Sequence, residues 1–268
     1  MKYGQNFRFG FFNENPNERM KAIKQAGFDG VMLWWGNHFV GTDGSKTELA
    51  KLAKDVGLKI TALHSPTDRA NYLWEEKPKA DEAVKHYIDI IHACEKVQSP
   101  TMVIHTTRKT RPPMFCESGL DAFQKVLTEA EECGINVAVE NTRFLEYNDF
   151  IYANLKSERL KCCFDSGHNN CYTPKADALA KYGDKVVLTH LHDNIGAGER
   201  RCDLHYLMGE GNVDWTKRRE QLLKLGLNEI NLESYYNEKC SFGKLTMEQY
   251  LNLSFSRVSN LFEKGIKP

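Results

Sequence analysis

Cys133-Gly134-Ile135-Asn136-Val137-Ala138-Val139-Glu140 reads as the end of a helix, a one-glycine turn and a short apolar strand that stops on a carboxylate. Glycine just past a last helical turn adopts the left-handed backbone that ends a helix, and a short valine-rich run behind it suits a buried strand. The same phrase recurs as Ala26-Gly27-Phe28, Val56-Gly57-Leu58 and Leu225-Gly226-Leu227, each ahead of another apolar run. It is the αβ loop of a repeated unit.

Working outward, the strand candidates are Phe7 to Phe12, Gly30 to Trp34, Lys59 to His64, Thr101 to His105, Asn136 to Glu140, Leu160 to Asp165, Val186 to His192 and Glu229 to Glu233. Amphipathic segments such as Asp81 to Val97 alternate with them, and Pro16 stands in the first turn of the first helix. Eight βα units in 268 residues predict an α/β fold, a single (β/α)8 TIM barrel spanning residues 1–268. The alternative, an open doubly wound sheet, ordinarily has a glycine-rich phosphate turn after its first strand, and Phe12-Asn13-Glu14-Asn15-Pro16 has none. No linker or low-complexity tract divides the chain.

Lys plus Arg and Asp plus Glu total 36 each, so no summed field favours nucleic acid or an anionic membrane. No apolar run approaches the length of a membrane span, and Met1 to Phe12 is too polar and short for a signal peptide, so a cytoplasmic location is expected. The 8 cysteines form no Cys-x-x-Cys pair and are expected to be reduced thiols, with Cys162 and Cys163 as barrel packing.

Six successive strands finish in a metal-ligand residue: His64, His105, Glu140, Asp165, His190 or His192, and Glu233. The C-terminal strand ends of a barrel ring one mouth, where active sites of this fold are built. A lone strand-end Asp or Glu is often a helix cap, but capping has no use for several imidazoles in one place. Imidazoles with carboxylates suit Zn, Mn, Co or Fe, whereas Mg prefers more oxygen. Asp165-Ser166-Gly167-His168 and Asp203-Leu204-His205 add further imidazole and carboxylate pairs on the same face. Trp34, Trp35, Phe11 and Phe12 are candidates for the floor of a sugar pocket, with core packing as the equal alternative. His86 and His92 belong to a helix flank, His38 is left open in the loop after strand two, and Arg200 and Arg201 are candidates for an anionic group or a solvated pair.

Glu140-Asn141-Thr142, Asp165-Ser166-Gly167-His168, His190-Leu191-His192-Asp193, Asp203-Leu204-His205 through Gly209-Glu210-Gly211, and Leu232-Glu233 together resemble the xylose-isomerase-like TIM-barrel superfamily, in order and along the whole chain. The resemblance implies a sugar or sugar-phosphate isomerase or epimerase with one divalent ion, Mn or Zn first and Co or Mg after them, held by Glu140, Asp165, His190 and Glu233. His192 is the alternate ligand or a substrate contact. It further implies Glu140 and Glu233 as the proton-transferring pair, with His64, His168, His192 and Trp34 against the sugar. Endonuclease IV, a zinc phosphodiesterase of the same superfamily, is similar in a fuller way, and through it His64, His105, His168, Asp203 and His205 become candidates for additional metal. Trp34-Trp35-Gly36-Asn37-His38-Phe39-Val40 does not resemble the lesion-recognition loop of those nucleases. A non-catalytic sugar-binding module with the same mouth is a second rival. Barrels of this superfamily commonly pair, so a homodimer is kept open.

Overall fold

The computed structural model describes residues 1–36, 44–197, 202–238, 241 and 243–268. Eight parallel strands form a nearly closed barrel: β1 (Lys2–Asn6), β2 (Gly30–Trp34), β3 (Lys59–His64), β4 (Thr101–Ile104), β5 (Asn136–Glu140), β6 (Leu160–Asp165), β7 (Val186–His190) and β8 (Glu229–Leu232). Their order in the sheet is β7-β6-β5-β4-β3-β2-β1-β8. Around them lie α1 (Pro16–Gln25), α2 (Lys46–Asp55), α3 (Lys79–Val97), α4 (Glu117–Glu132), α5 (Leu145–Asn154), α6 (Ser166–Tyr172), α7 (Ala178–Tyr182), α8 (Trp215–Lys224) and α9 (Met247–Ser259). The four glycines of the repeated αβ phrase all have left-handed backbones, with φ between 66° and 108°.

The first strand is a correction. It runs over Lys2–Asn6, not Phe7 to Phe12. Lys-Tyr-Gly-Gln-Asn has little intrinsic strand preference, but it is paired on both sides, Gly4 facing Gly30 of β2 and Asn231 of β8, and that pairing decides its conformation. Phe7 to Phe12 instead turns out of the barrel, with Gly10 at φ 116° and Phe11 at φ 56°. The buried Arg19 guanidinium fixes this turn, donating from Nη2 to the Phe7 carbonyl at 2.7 Å and lying 4.1 Å over the Phe7 ring. At the other ends Val186 to His192 and Glu229 to Glu233 close as ladders at His190 and Leu232.

Apolar side chains divide by strand parity. Met32, Ala62, Val103, Ala138, Cys163 and Leu188 form a small inner cluster, one from each of β2 to β7. Their neighbours Leu33, Leu63, Met102, Ile104, Val137, Val139, Cys162 and Phe164 point outward into the larger core beneath the helices. Each fully buried aliphatic side chain there contributes roughly 1.5–3 kcal/mol.

The seam between β7 and β8 closes close to the mouth. Leu191 N–H donates to the Asn231 carbonyl at 3.0 Å, and Glu233 N–H donates to the Leu191 carbonyl at 3.1 Å. The Thr189 hydroxyl donates to the Asn231 carbonyl at 3.1 Å and accepts from its N–H at 2.9 Å. These bonds hold Glu233 beside His190.

Candidate metal centre

Strand parity builds the site. Two residues beyond the inner apolar layer, Ala62 leads to His64, Val103 to His105, Ala138 to Glu140, Cys163 to Asp165 and Leu188 to His190, so the apolar layer is capped by a layer of imidazoles and carboxylates. Register then sets neighbours: Asp165 pairs with His190, and Trp34 with His64.

Glu140, Asp165, His190 and Glu233 are buried, and each offers a ligand atom, all within 4.8 Å of one another. His190 Nδ1 stands 3.4 Å from Glu140 Oε1 and 3.2 Å from Glu233 Oε2. His192 lies two residues further along the chain and joins His205 and Glu233 in a separate group. Its Nε2 is 3.1 Å from Asp165, and its ring stacks on His205 at 4.0 Å.

The remaining candidates surround this core. His105 Nε2 and His64 Nε2 approach Glu140 Oε2 at 3.0 Å and 3.3 Å, while His168 Nδ1 is 3.0 Å from Glu140 Oε1. Asp203 lies between His168 and His205, with each contact 3.3 Å. Asp165 caps α6 by accepting from the His168 N–H at 2.6 Å. Trp34 stacks on His64 at 5.0 Å, at the mouth. Phe11 stacks on Tyr236 and lines an outer groove beside α1 and α9, and Phe12 lies under Arg19, so neither floors the mouth. Trp35 is buried in the outer core. His86 and His92 are on α3, His92 meeting Glu129 at 2.6 Å. His38, Arg200 and Arg201 lie outside the described residues.

Burial opposes every charge here, pushing carboxyls up and imidazoles down, and the opposite charges override it. His105 and His190 hold the Glu140 carboxyl well below the usual range, and His190 and His205 bring that of Glu233 to about 2. His168 is raised well above its ordinary value by Asp165 and Asp203. His190 is raised by Cys163, Glu233 and Glu140, and His205 is raised to about 9 by Asp203 and Glu233.

The donor set fits a divalent cation. Both ring nitrogens of His190, Glu140 Oε1, His192 Nδ1 and Asp203 Oδ1 are buried without a hydrogen-bond partner among the described residues. Leaving buried polar atoms unmatched costs about 1–3 kcal/mol each, and a cation accepting lone pairs from both sides relieves several together. Nitrogen with carboxylate oxygen suits Zn, Mn or Co better than Mg. Thiolate is not part of the set: burial pushes the neighbouring Cys163 up to about 12.

Three supporting roles are not evident in the sequence, although two of the residues stand in its motifs. Asp193 is a buried hub accepting from Gly209 N–H, Val213 N–H and Trp215 Nε1–H at 2.8–3.0 Å, and it anchors the loop that carries Asp203 and His205. Its signal was the Gly-Glu-Gly and Trp following in the same loop. Asn141 ties β5 to β6, accepting from Asp165 N–H at 2.7 Å and donating to its carbonyl at 2.9 Å. The third is a correction to the reduced-thiol expectation: Cys171 of α6 is disulfide-bonded to Cys202, with Cα atoms 5.5 Å apart. Their 31-residue separation gives no sequence cue, because the mouth loops bring them together.

The chain belongs to the xylose isomerase-like TIM barrel family, whose model matches residues 20–247. It is 26% identical over 237 residues to the uncharacterized protein MJ1614 of Methanocaldococcus jannaschii, covering 82% of this chain and 83% of the relative. The fold superposes on D-psicose 3-epimerase with D-tagatose from Clostridium cellulolyticum H10 (TM-score 0.74, 15% identity, 98% and 99% of the two chains). It also superposes on the IOLI protein with a binding zinc atom (TM-score 0.75, 16% identity, 99% of each).

Proposed function

We propose that the protein is a divalent-metal-dependent sugar isomerase or epimerase. The observation that carries this is the convergence of two buried carboxylates, Glu140 and Glu233, on His190 Nδ1, with Asp165 in the same group of ligand atoms within 4.8 Å. Superposition on an epimerase and on a zinc-bound barrel supports the same reading.

Glu140, Asp165, His190 and Glu233 would hold the ion. When bound, it supplies Lewis-acid polarisation of a substrate carbonyl and the hydroxyl beside it. The chain's own groups do the rest. Both glutamates are held ionised at neutral pH by neighbouring imidazoles, so either can take the proton from the carbon next to the carbonyl; the proton returned to the carbon would come from solvent by way of the other glutamate, transiently protonated. His168 and His64 flank Glu140, each with a ring nitrogen toward its carboxylate, and would adjoin a substrate oxygen seated beside it. Trp34, stacked on His64 at 5.0 Å and with the Arg8 guanidinium 4.9 Å over its ring, would border the sugar at the mouth.

Incubation of metal-supplemented protein with ketoses and ketose phosphates in deuterated water is the test. Deuterium is expected at one carbon, with the rate falling about 10²–10⁴-fold in Glu140→Gln and in Glu233→Gln. Absence of exchange across the panel would remove the proposal. One observation favours a second reading, a phosphodiesterase: the further groups His168, Asp203, His205 and His64, Glu140, His190 are each compact enough for another ion. Three ions per chain with cleavage of abasic DNA would establish that activity in place of the first.

A further inference from the structure

We propose that the cavity walled by Arg108, Lys109 and Arg143 is a phosphoryl-binding subsite of the substrate pocket. The sugar part of this substrate rests on the isomerase or epimerase reading; the subsite itself rests on the following geometry.

The cavity has a volume of about 180 Å³, and His105 and His168 form part of its wall. Both imidazoles stand 3.0 Å from Glu140, so a group seated there adjoins the reacting end of the site. The cations come from two loops, Arg108 and Lys109 after β4 and Arg143 after β5. Among the described residues, none of the three has a carboxylate within ion-pair distance. The acid in the same wall, Asp203, is already engaged by His168, His205 and the Tyr172 hydroxyl. A chain of zero formal charge thus gathers three cations in one concavity with no carboxylate paired to them among the described residues.

The cavity is also built rather than merely charged. Asn71 grips the β4 loop, accepting from Arg108 N–H at 2.7 Å and donating to the Arg108 carbonyl at 3.2 Å. That grip holds Lys109 in the left-handed region at φ 68°, a strained backbone for an L side chain. The Arg143 guanidinium lies 4.1 Å over the Tyr172 ring, which limits its freedom. Thr142, only 5% exposed, lines the cavity with a hydroxyl that has no hydrogen-bond partner among the described residues. Cations from two loops and a waiting hydroxyl match a tetrahedral dianion, which presents oxygens in several directions; a planar carboxylate is satisfied by one guanidinium fork.

Two measurements on the metal-loaded protein decide this. Calorimetric titration with inorganic phosphate is expected to show binding that weakens at least about tenfold in Arg108→Gln/Arg143→Gln, both exposed positions, and less in Thr142→Val. In the deuterium-exchange assay, a phosphorylated ketose is expected to exceed its neutral and carboxylate-bearing counterparts by roughly 100-fold in kcat/KM, a preference the double variant loses. Unchanged phosphate affinity in the double variant overturns the subsite, as does a neutral or carboxylate ketose that exchanges as fast as the phosphate. Arginine-dependent phosphate binding with no exchange from any ketose supports the subsite and removes the isomerase or epimerase reading instead.

Discussion

Gly167 shows how closely single residues are fitted around the centre. A Cβ built there would stand 1.9 Å from His192 Cε1, so any side chain must displace the imidazole that meets Asp165. Gly167→Ala is expected to fold but to bind divalent metal at least about tenfold more weakly, since misplacing a group that orients a ligand typically costs that much. Calorimetric titration with Mn or Zn checks it; unchanged affinity would show that His192 does not orient Asp165. His190 and His192 also mark the limit of what sequence can resolve. They share strand parity, so periodicity treats them alike, and the motif supports either. They separate only where the ladder ends: β7 stops at His190, opposite Asp165, while His192 lies past it against His205. Ligand-type residues at strand ends were legible because a short apolar run makes its last residue conspicuous. Thr142 and Arg108 were not, since their importance depends on a cavity formed by loops distant in sequence.

Among the elements, Asp177 joins two helices through one carboxylate. It caps α7 by accepting from Ala180 N–H at 3.2 Å, and it meets Lys217 Nζ at 2.7 Å and Arg218 Nη1 at 3.2 Å on α8. Burial raises its carboxyl, but bonds from Lys217, Gln221 and Ala180 N–H outweigh this and bring it down to about 2. A carboxyl depressed in the folded state contributes stability above its unfolded value near ~4 and loses it as pH falls toward 2. Asp177→Asn is therefore expected to cost about 1 kcal/mol at pH 7 and to lose stability less steeply than the parent between pH 4 and 2. Urea unfolding across that range measures both; parallel pH profiles would contradict it. Element assignment from sequence succeeded where apolar runs have ladders of their own length, as in β2, β3, β5 and β6. It failed for β1, where Gln5 and Asn6 lie in a strand fixed by its neighbours and the more strand-like Phe7 to Phe12 is bent away by Gly10 and Arg19.

In the whole molecule, the mouth is stabilised from outside the barrel by Cys171–Cys202, which ties α6 to the segment holding Asp203 and His205. Closing a 31-residue separation restricts the unfolded chain by about 3.5 kcal/mol, so reduction is expected to lower the melting temperature by on the order of 10 °C. Thermal unfolding with and without a dithiol reductant checks this, and Cys171→Ser should melt at the same temperature in both; identical melting of the parent protein would contradict it. Barrel architecture was readable because the αβ phrase repeats. The disulfide, the β7–β8 seam and the Asp193 hub were not, because each joins segments through the third dimension.

On the proposed reading, strands β5 to β8 deliver four ligands to one divalent ion. Anomalous scattering from crystals grown with Mn or Zn, collected on either side of the metal edge, tests it directly. A peak about 2.0–2.3 Å from Glu140, Asp165, His190 and Glu233 is the expected result. A metal-loaded crystal with no peak within bonding distance of these four side chains would contradict it.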